Sequence, residues 1–193
     1  MFAVFSFLVK KRFLVGLDFD TTVKIQDRIP LSYDETLSFF SILGSFEITI
    51  VILILFLLLK RRIAGALLIG FFGFAHVIEL AGKLFLKHPG PPFLFFRYNL
   101  DFLFPTSYVQ TGSSYPSGHS MRTVYLAILF LYFIATHKKF PPIVRFLMCS
   151  LIVGFVGIML ISRVSLGEHW STDVVGGSLL GVAFAFFSIA VLH

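Results

Sequence analysis

The stretch Ser162-Arg163-Val164-Ser165-Leu166-Gly167-Glu168-His169-Trp170-Ser171-Thr172-Asp173 is followed by a run without Asp, Glu, Lys or Arg from Val174 to His193. About 20 mainly apolar residues span a bilayer as a helix, so the polar stretch is expected at a membrane surface. If the helix starts at Trp170, His169 and Asp173 share a face near its first turn. The carboxylate can then accept from one imidazole nitrogen and leave the other free to attack. Arg163 just upstream is a permanent planar cation suited to phosphate oxygens. A helix N-terminus adds backbone donors and a field that favours an anion. The stretch reads as one wall of a phosphoryl-transfer site.

Composition extends this reading outward. The chain has 193 residues, 57% of them hydrophobic, with 26 Phe and only 13% charged, which is too apolar for an ordinary soluble domain. Phe146 to Ser162 is a second uncharged run. The expected fold is all-α, a polytopic transmembrane bundle of about five spanning helices with an N-terminal interfacial helix. The net charge of +6 does not form a nucleic-acid stripe. Its cations flank apolar runs at Lys60-Arg61-Arg62 and Lys138-Lys139, which marks those loops as cytoplasmic. A lone Cys149 inside an apolar run excludes an intramolecular disulfide and a thiol-rich metal site.

Met1 to Val9 is apolar but too short to span, and Lys10-Lys11-Arg12 follows it. An interfacial helix is expected there, with a truncated first span as the alternative. Asp18 to Thr36, interrupted by Pro30, reads as a short surface helix and a loop. Residues 1–36 thus form an N-terminal surface segment and 37–193 the transmembrane domain. The spans are expected near Leu37–Leu59, Ile63–Leu86, Ser117–Thr136, Ile143–Ile161 and Ser171–Leu192. The longest connection, Lys87 to Pro116, is rich in Pro and aromatics. A loop of that length is more often functional than idle. Given cytoplasmic loops at Lys60–Arg62 and His137–Lys139, the polar clusters all fall together on the extracytoplasmic side.

Two further clusters carry chemistry. Tyr115-Pro116-Ser117-Gly118-His119-Ser120 opens the third span. Pro116 fixes a turn, Gly118 admits an anion close to the backbone, Ser117 offers a hydroxyl, and His119 is placed to act as an acid. Lys83, then Lys87-His88-Pro89-Gly90-Pro91-Pro92, ends the second span. Read alone, its lysines would simply snorkel. His76, Glu79 and Lys83 share a helix face, which makes Glu79 or His76 a support for Lys83; an ion path is the alternative. Glu47 is expected to reach toward the interface, with an orienting role near the site as the alternative, and Arg122 either lines the pocket or caps a loop. Trp170 reads as an interface anchor. Metal ligation by His119, His169 and Asp173 is disfavoured by the nearby cations and by the lack of an HExxH or paired-carboxylate pattern.

Together these residues resemble the type 2 phosphatidic acid phosphatase superfamily of membrane lipid phosphatases. Its signatures are K-x6-R-P, P-S-G-H and S-R-x5-H-x3-D. The second matches at Pro116 to His119 and the third at Ser162, Arg163, His169 and Asp173. The first matches in part: Lys83 and Pro91 are at the right spacing, but Gly90 stands where an arginine is expected. The resemblance implies a cofactor-free, metal-free mechanism. His169 is the nucleophile, Asp173 holds its tautomer, and His119 protonates the leaving alkoxide and later activates water. Lys83, Ser117, Gly118 and Arg163 bind the phosphoryl oxygens. Lys87 is the first candidate to replace the missing arginine, then His88 and Arg97. The expected substrate is a lipid phosphate such as phosphatidic acid, phosphatidylglycerol phosphate or a polyprenyl diphosphate, hydrolysed at the outer face of a bacterial plasma membrane. A phosphotransferase with the same intermediate and a non-catalytic anion or phospholipid transporter are the alternatives.

Overall fold

A computed structural model describes residues 1–59, 62–102, 104, 112–136 and 140–192. The described residues contain eight α-helices: α1 (Phe2–Lys10), α2 (Val15–Arg28), α3 (Asp34–Leu43), α4 (Phe46–Leu59), α5 (Arg62–Leu86), α6 (Gly118–Thr136), α7 (Pro142–Ser165) and α8 (Ser171–Leu192). Four of them, over Ala64–Leu86, Gly118–Thr136, Pro142–Ser165 and Ser171–Val191, are long and apolar enough to cross a membrane. The chain is an integral-membrane helical bundle. The positive clusters at Lys60-Arg61 and His137–Lys139, on which the sidedness expectation rests, lie outside the described residues.

The expected first span is two helices. Leu31–Leu43 and Phe46–Leu58 meet at 44°. The cause is the Gly44-Ser45 pair, a usual place for a helix to kink. Both ends of the break are capped. Arg122 Nε donates to the Gly44 carbonyl at 3.1 Å, and Ser45 Oγ accepts from Ile48 N at 3.4 Å. The N-terminal segment is more helical than expected. A helix covers the first apolar stretch as α1, and a second, α2, begins at Val15 rather than Asp18 and ends before Pro30; both pack on the bundle, α1 against α8 and α5, α2 against α7 and α8.

The interior is built around α6, whose main partner is α8. Leu53, Leu68, Phe72, Tyr125, Leu129 and Ala185 form a buried cluster that joins α4, α5, α6 and α8. Tyr125 locks it, with its hydroxyl donating to Leu68 O at 2.9 Å and lying 3.0 Å from Ser188 Oγ. Toward the polar end, α6 and α8 touch backbone to backbone. A Cβ on Gly177 would collide with the Ser117 carbonyl oxygen, and one on Gly181 with the Met121 carbonyl oxygen. Small residues four apart permit this approach between apolar helices, where lipid supplies no hydrophobic drive.

Gly177→Ala should therefore lower the thermal unfolding midpoint of the purified protein. Gly154→Ala, where an added Cβ meets nothing within 4 Å, should raise stability by up to about 1 kcal/mol. Equal effects at the two sites would remove the close α6–α8 contact as the organising one.

Candidate active site

The third signature is held by the end of α7 and the start of α8. Gly167, at φ 67°, occupies the left-handed position just past α7. Gly167 N donates to Val164 O at 3.0 Å and Glu168 N to Arg163 O at 3.2 Å, the paired bonds of a Schellman cap. The same Arg163 carbonyl accepts from His169 N at 3.1 Å, which pins the histidine backbone to α7. Asp173, at the third position of α8, reaches back to Trp170 N at 2.9 Å. That is the N3 half of a capping box. Trp170 has no side-chain acceptor to give in return. Asp18 of α2 supplies it, accepting from Thr172 N (2.8 Å), Thr172 Oγ1 (2.7 Å) and Ser171 Oγ (2.8 Å).

Asp173 is fully buried, and its Oδ2 lies 3.5 Å from His169 Nδ1. That is an ion contact, too long for a good hydrogen bond, and Nδ1 has no hydrogen-bond partner. Catalytic bonds are often this loose before substrate binds. With Nδ1 toward Asp173, Nε2 is the nitrogen left for another atom. Burial holds the His169 pKa below 6.5; the Asp173 hydrogen-bonding interaction opposes this, and the Arg163 and Lys83 charges reinforce it.

The second signature opens α6. Ser117 is its N-cap: its Oγ accepts from Ser120 N at 3.4 Å and from Ser120 Oγ at 3.1 Å. Ser117 N donates to Asp173 O at 3.0 Å, so the two signatures are stitched by backbone. Glu79 joins Lys83 to Arg122 beside His119, and the Ser117–Asp173 bond adds the third signature, which gathers all three at one end of the bundle. Arg122 Nη2 lies 3.4 Å from His119 Nδ1. A guanidinium can only donate, so Nδ1 accepts and the ring proton sits on Nε2.

Each cation here has a carboxylate. Lys83 Nζ is 2.8 Å from Glu79 Oε1; Glu79 Oε2 is 2.7 Å from His76 Nδ1 and 3.5 Å from Arg122 Nη1. Glu79 also lies against Gly118, where a Cβ would collide with Oε1. Arg163 Nη1 donates to Glu168 Oε2 at 2.6 Å and to Ser41 Oγ. Its Nε is buried without a partner. Ser41, Ser45, Tyr98, His119 and Glu168 line a small recess beside these groups.

Lys83, Ser117, Gly118, His119, Arg163, His169 and Asp173 are thus brought together. Lys87 is not: it is exposed at φ 48°, where it turns the chain after α5. Arg97 is spent on Asp34 (2.9 Å) and on the Gln26 and Ile29 carbonyls that end α2. His88 bonds Asp173 Oδ1 at 3.0 Å. The buried cation that stands beside His119 is Arg122. Glu47 is close enough for its charge to act on Arg122. Trp170 Nε1 donates to Pro89 O at 2.9 Å, which ties the first and third signatures in addition to any interfacial role. Sequence reasoning missed Asp18, Ser41 and the roles of His88 and Glu168. Only Glu168 carried a local signal, its place five residues after Arg163.

The architecture matches solved structures. The transmembrane PAP2 type phosphatidylglycerolphosphate phosphatase from Bacillus subtilis superposes with a TM-score of 0.78, covering 98% of this chain and 91% of its own, at 21% identity. Aquifex aeolicus LpxE gives 0.66, covering 90% and 95%, at 22% identity. In sequence, phosphatidylglycerophosphatase B of Bacillus subtilis (strain 168) is 36% identical over 85 residues, 40% of this chain. That alignment spans 38% of the relative's own length. Residues 63–193, which hold every signature residue quoted above, match the PAP2 superfamily, and the chain belongs to it.

Proposed function

We propose that the protein is a metal-independent membrane phosphatase that removes phosphate from a lipid headgroup through a phosphohistidine. The observation that carries this is the junction of two chain segments: His169 with Nδ1 on Asp173, and His119 with its proton on Nε2, both among Lys83, Arg122 and Arg163. His169 Nε2 attacks phosphorus and the bond to the leaving oxygen breaks. His119 acts here as an imidazolium, its second proton brought in by the phosphate monoanion and carried on Nδ1 as Arg122 turns aside; its Nε2–H protonates that oxygen and leaves the neutral ring. Asp173 stabilises the phosphorylated, positively charged ring. His119, now a base, takes a proton from water, which attacks phosphorus and releases His169. Lys83, Arg163, Ser117 and the Gly118 N–H hold the phosphoryl oxygens, whose charge dominates such a transition state. The unpartnered Nε of buried Arg163 supports this, since an anion would satisfy it.

Arg122 takes the place of the missing arginine. The cations also repel a divalent metal, which favours metal-free chemistry. A lipid substrate is supported by an apolar cavity of about 380 Å³ that begins at Leu43 and Thr123, beside Gly44 and Arg122, and runs between α4, α6 and α7. Phosphatidylglycerol phosphate, phosphatidic acid and a polyprenyl diphosphate are the candidates. The proposed location is the plasma membrane of a bacterium with the site outward, because in sequence the basic Lys60-Arg61 precedes α5 and His137-Lys138-Lys139 follows α6, whereas the site residues lie at the end of α5 and the start of α6.

Purified protein should release phosphate from at least one of these lipids with EDTA present, and His169→Ala should lose at least about a thousandfold in kcat. Loss of activity with EDTA, or its survival in His169→Ala, would sink the mechanism. A phosphorylated acceptor without free phosphate would mean a transferase. Arg122→Lys keeps charge but loses the planar fork and should cost about tenfold in kcat/KM, whereas Lys87→Ala should stay within about twofold. The reverse ranking would return Lys87 to the site.

The nucleophile must be neutral. Because the His169 pKa is lowered, the ring stays unprotonated as pH falls through 6.5. The acid limb of kcat/KM should therefore lie below pH 6.5; a limb above it would assign the base elsewhere.

A further inference from the structure

Asp173 has two oxygens and more than one imidazole to serve. Oδ2 accepts from Trp170 N at 2.9 Å and faces His169 Nδ1 at 3.5 Å. Oδ1 lies 3.0 Å from His88 Nδ1. With one oxygen fixed by each partner, the carboxylate plane cannot rotate away from His169. Asp173 is an acceptor when ionised, so His88 carries its proton on Nδ1. The His88 Nε2 side faces Asp18 Oδ2 at 3.9 Å. Asp18 is 2% exposed and is held at the start of α8 by Ser171 and Thr172.

His88 is itself firmly mounted. Its backbone N accepts no alternative geometry easily, since it donates to Ser113 Oγ at 3.0 Å while its carbonyl accepts from Ser114 N at 2.8 Å. Trp170 Nε1 grips the next residue through Pro89 O, and the Tyr115 ring stands edge-on at 6.2 Å. The left-handed turn at Lys87 aims the chain this way.

We propose that Asp18, His88 and Asp173 form a positioning relay: His88 orients the Asp173 carboxylate toward His169, and Asp18 ties that orientation to α2. This rests on the reading of His169 as nucleophile. His88 is a positioning residue, because it acts through Asp173. The charged and titratable groups facing it are Asp173 of α8, Asp18 of α2, Arg12 between α1 and α2, and Tyr115 before α6. Burial opposes a charge on His88, but Asp173 and Asp18 hold its pKa above 6.5 against burial and Arg12. His169 is shifted the other way, so near 6.5 the relay runs as imidazolium, carboxylate, neutral imidazole.

The test uses the full-length protein in detergent, with His88→Leu and His88→Asn. An Asn amide nitrogen reproduces the position of Nδ1 but cannot charge. Replacing partners of a reacting group's ligand commonly costs 10–100-fold, so His88→Leu should lower kcat by about that much with KM within about twofold. His88→Asn should recover kcat to within about threefold of wild type. Nitrogen-15 NMR of histidine-labelled protein reads the rings without turnover. In His88→Asn the His169 midpoint should rise, because a cation behind Asp173 is gone; in Asp18→Asn the His88 midpoint should fall, because an anion is gone. Unchanged kcat in His88→Leu, an Asn variant as impaired as the Leu variant, or unmoved ring midpoints would each overturn the relay. If His88→Leu does not fold, the Asn and Asp18 midpoints decide. If wild type hydrolyses no lipid phosphate while the midpoints move as stated, the phosphatase reading fails and the relay stands.

Discussion

Burial of charge at one end of an apolar bundle is the constraint everything else serves. Arg122 is 6% exposed, Arg163 3% and Glu79 1%. An unpaired ion in such a place is prohibitive, so each must find an opposite partner and hydrogen bonds. Glu79 meets Lys83, His76 and Arg122; Glu168 meets Arg163; Asp173 stands between two imidazoles. The pairing fixes the ends of α5, α6, α7 and α8 relative to one another. Lys83 and Arg122 share the one carboxylate of Glu79, which leaves donors on both for a further anion.

The site is completed by residues that precede the region matched to the superfamily. Asp18 caps α8, Ser41 meets Arg163, and the Gly44 carbonyl holds Arg122. Asp34 and the exposed carbonyls at the end of α2 take up Arg97, while Gln26 donates to the Phe95 and Ser165 carbonyls. The N-terminal helices thus act as a collar whose polar groups satisfy helix ends that the four long helices leave open. The break between α3 and α4 follows the same logic. A straight helix would have offered no carbonyl at Gly44 for Arg122.

Helix packing and chemistry meet at α6 and α8. The glycines that let these backbones touch lie one to three turns from Asp173 and His119. Close approach brings Ser117 N within 3.0 Å of the Asp173 carbonyl, so the wall that carries His169 and the wall that carries His119 share a hydrogen bond. Two signatures nearly fifty residues apart become one rigid piece because nothing larger than hydrogen separates their helices.

The amino-acid sequence by itself determined what depends on local pattern. The apolar runs marked the long helices, Gly167 marked the end of α7, and Pro116 through His119 marked the start of α6. The spacings of Lys83, His119, Arg163, His169 and Asp173 sufficed to nominate a phosphate site, since helical period and chain order are written along the chain. Helical period alone sets Arg122 one turn from His119; tertiary structure decided that Lys87 stays outside, that His88 bonds Asp173, and that Asp18 caps a helix 154 residues away. Those partners are chosen by which buried group lacks a counter-charge or a cap once the helices are packed, and no periodicity records that.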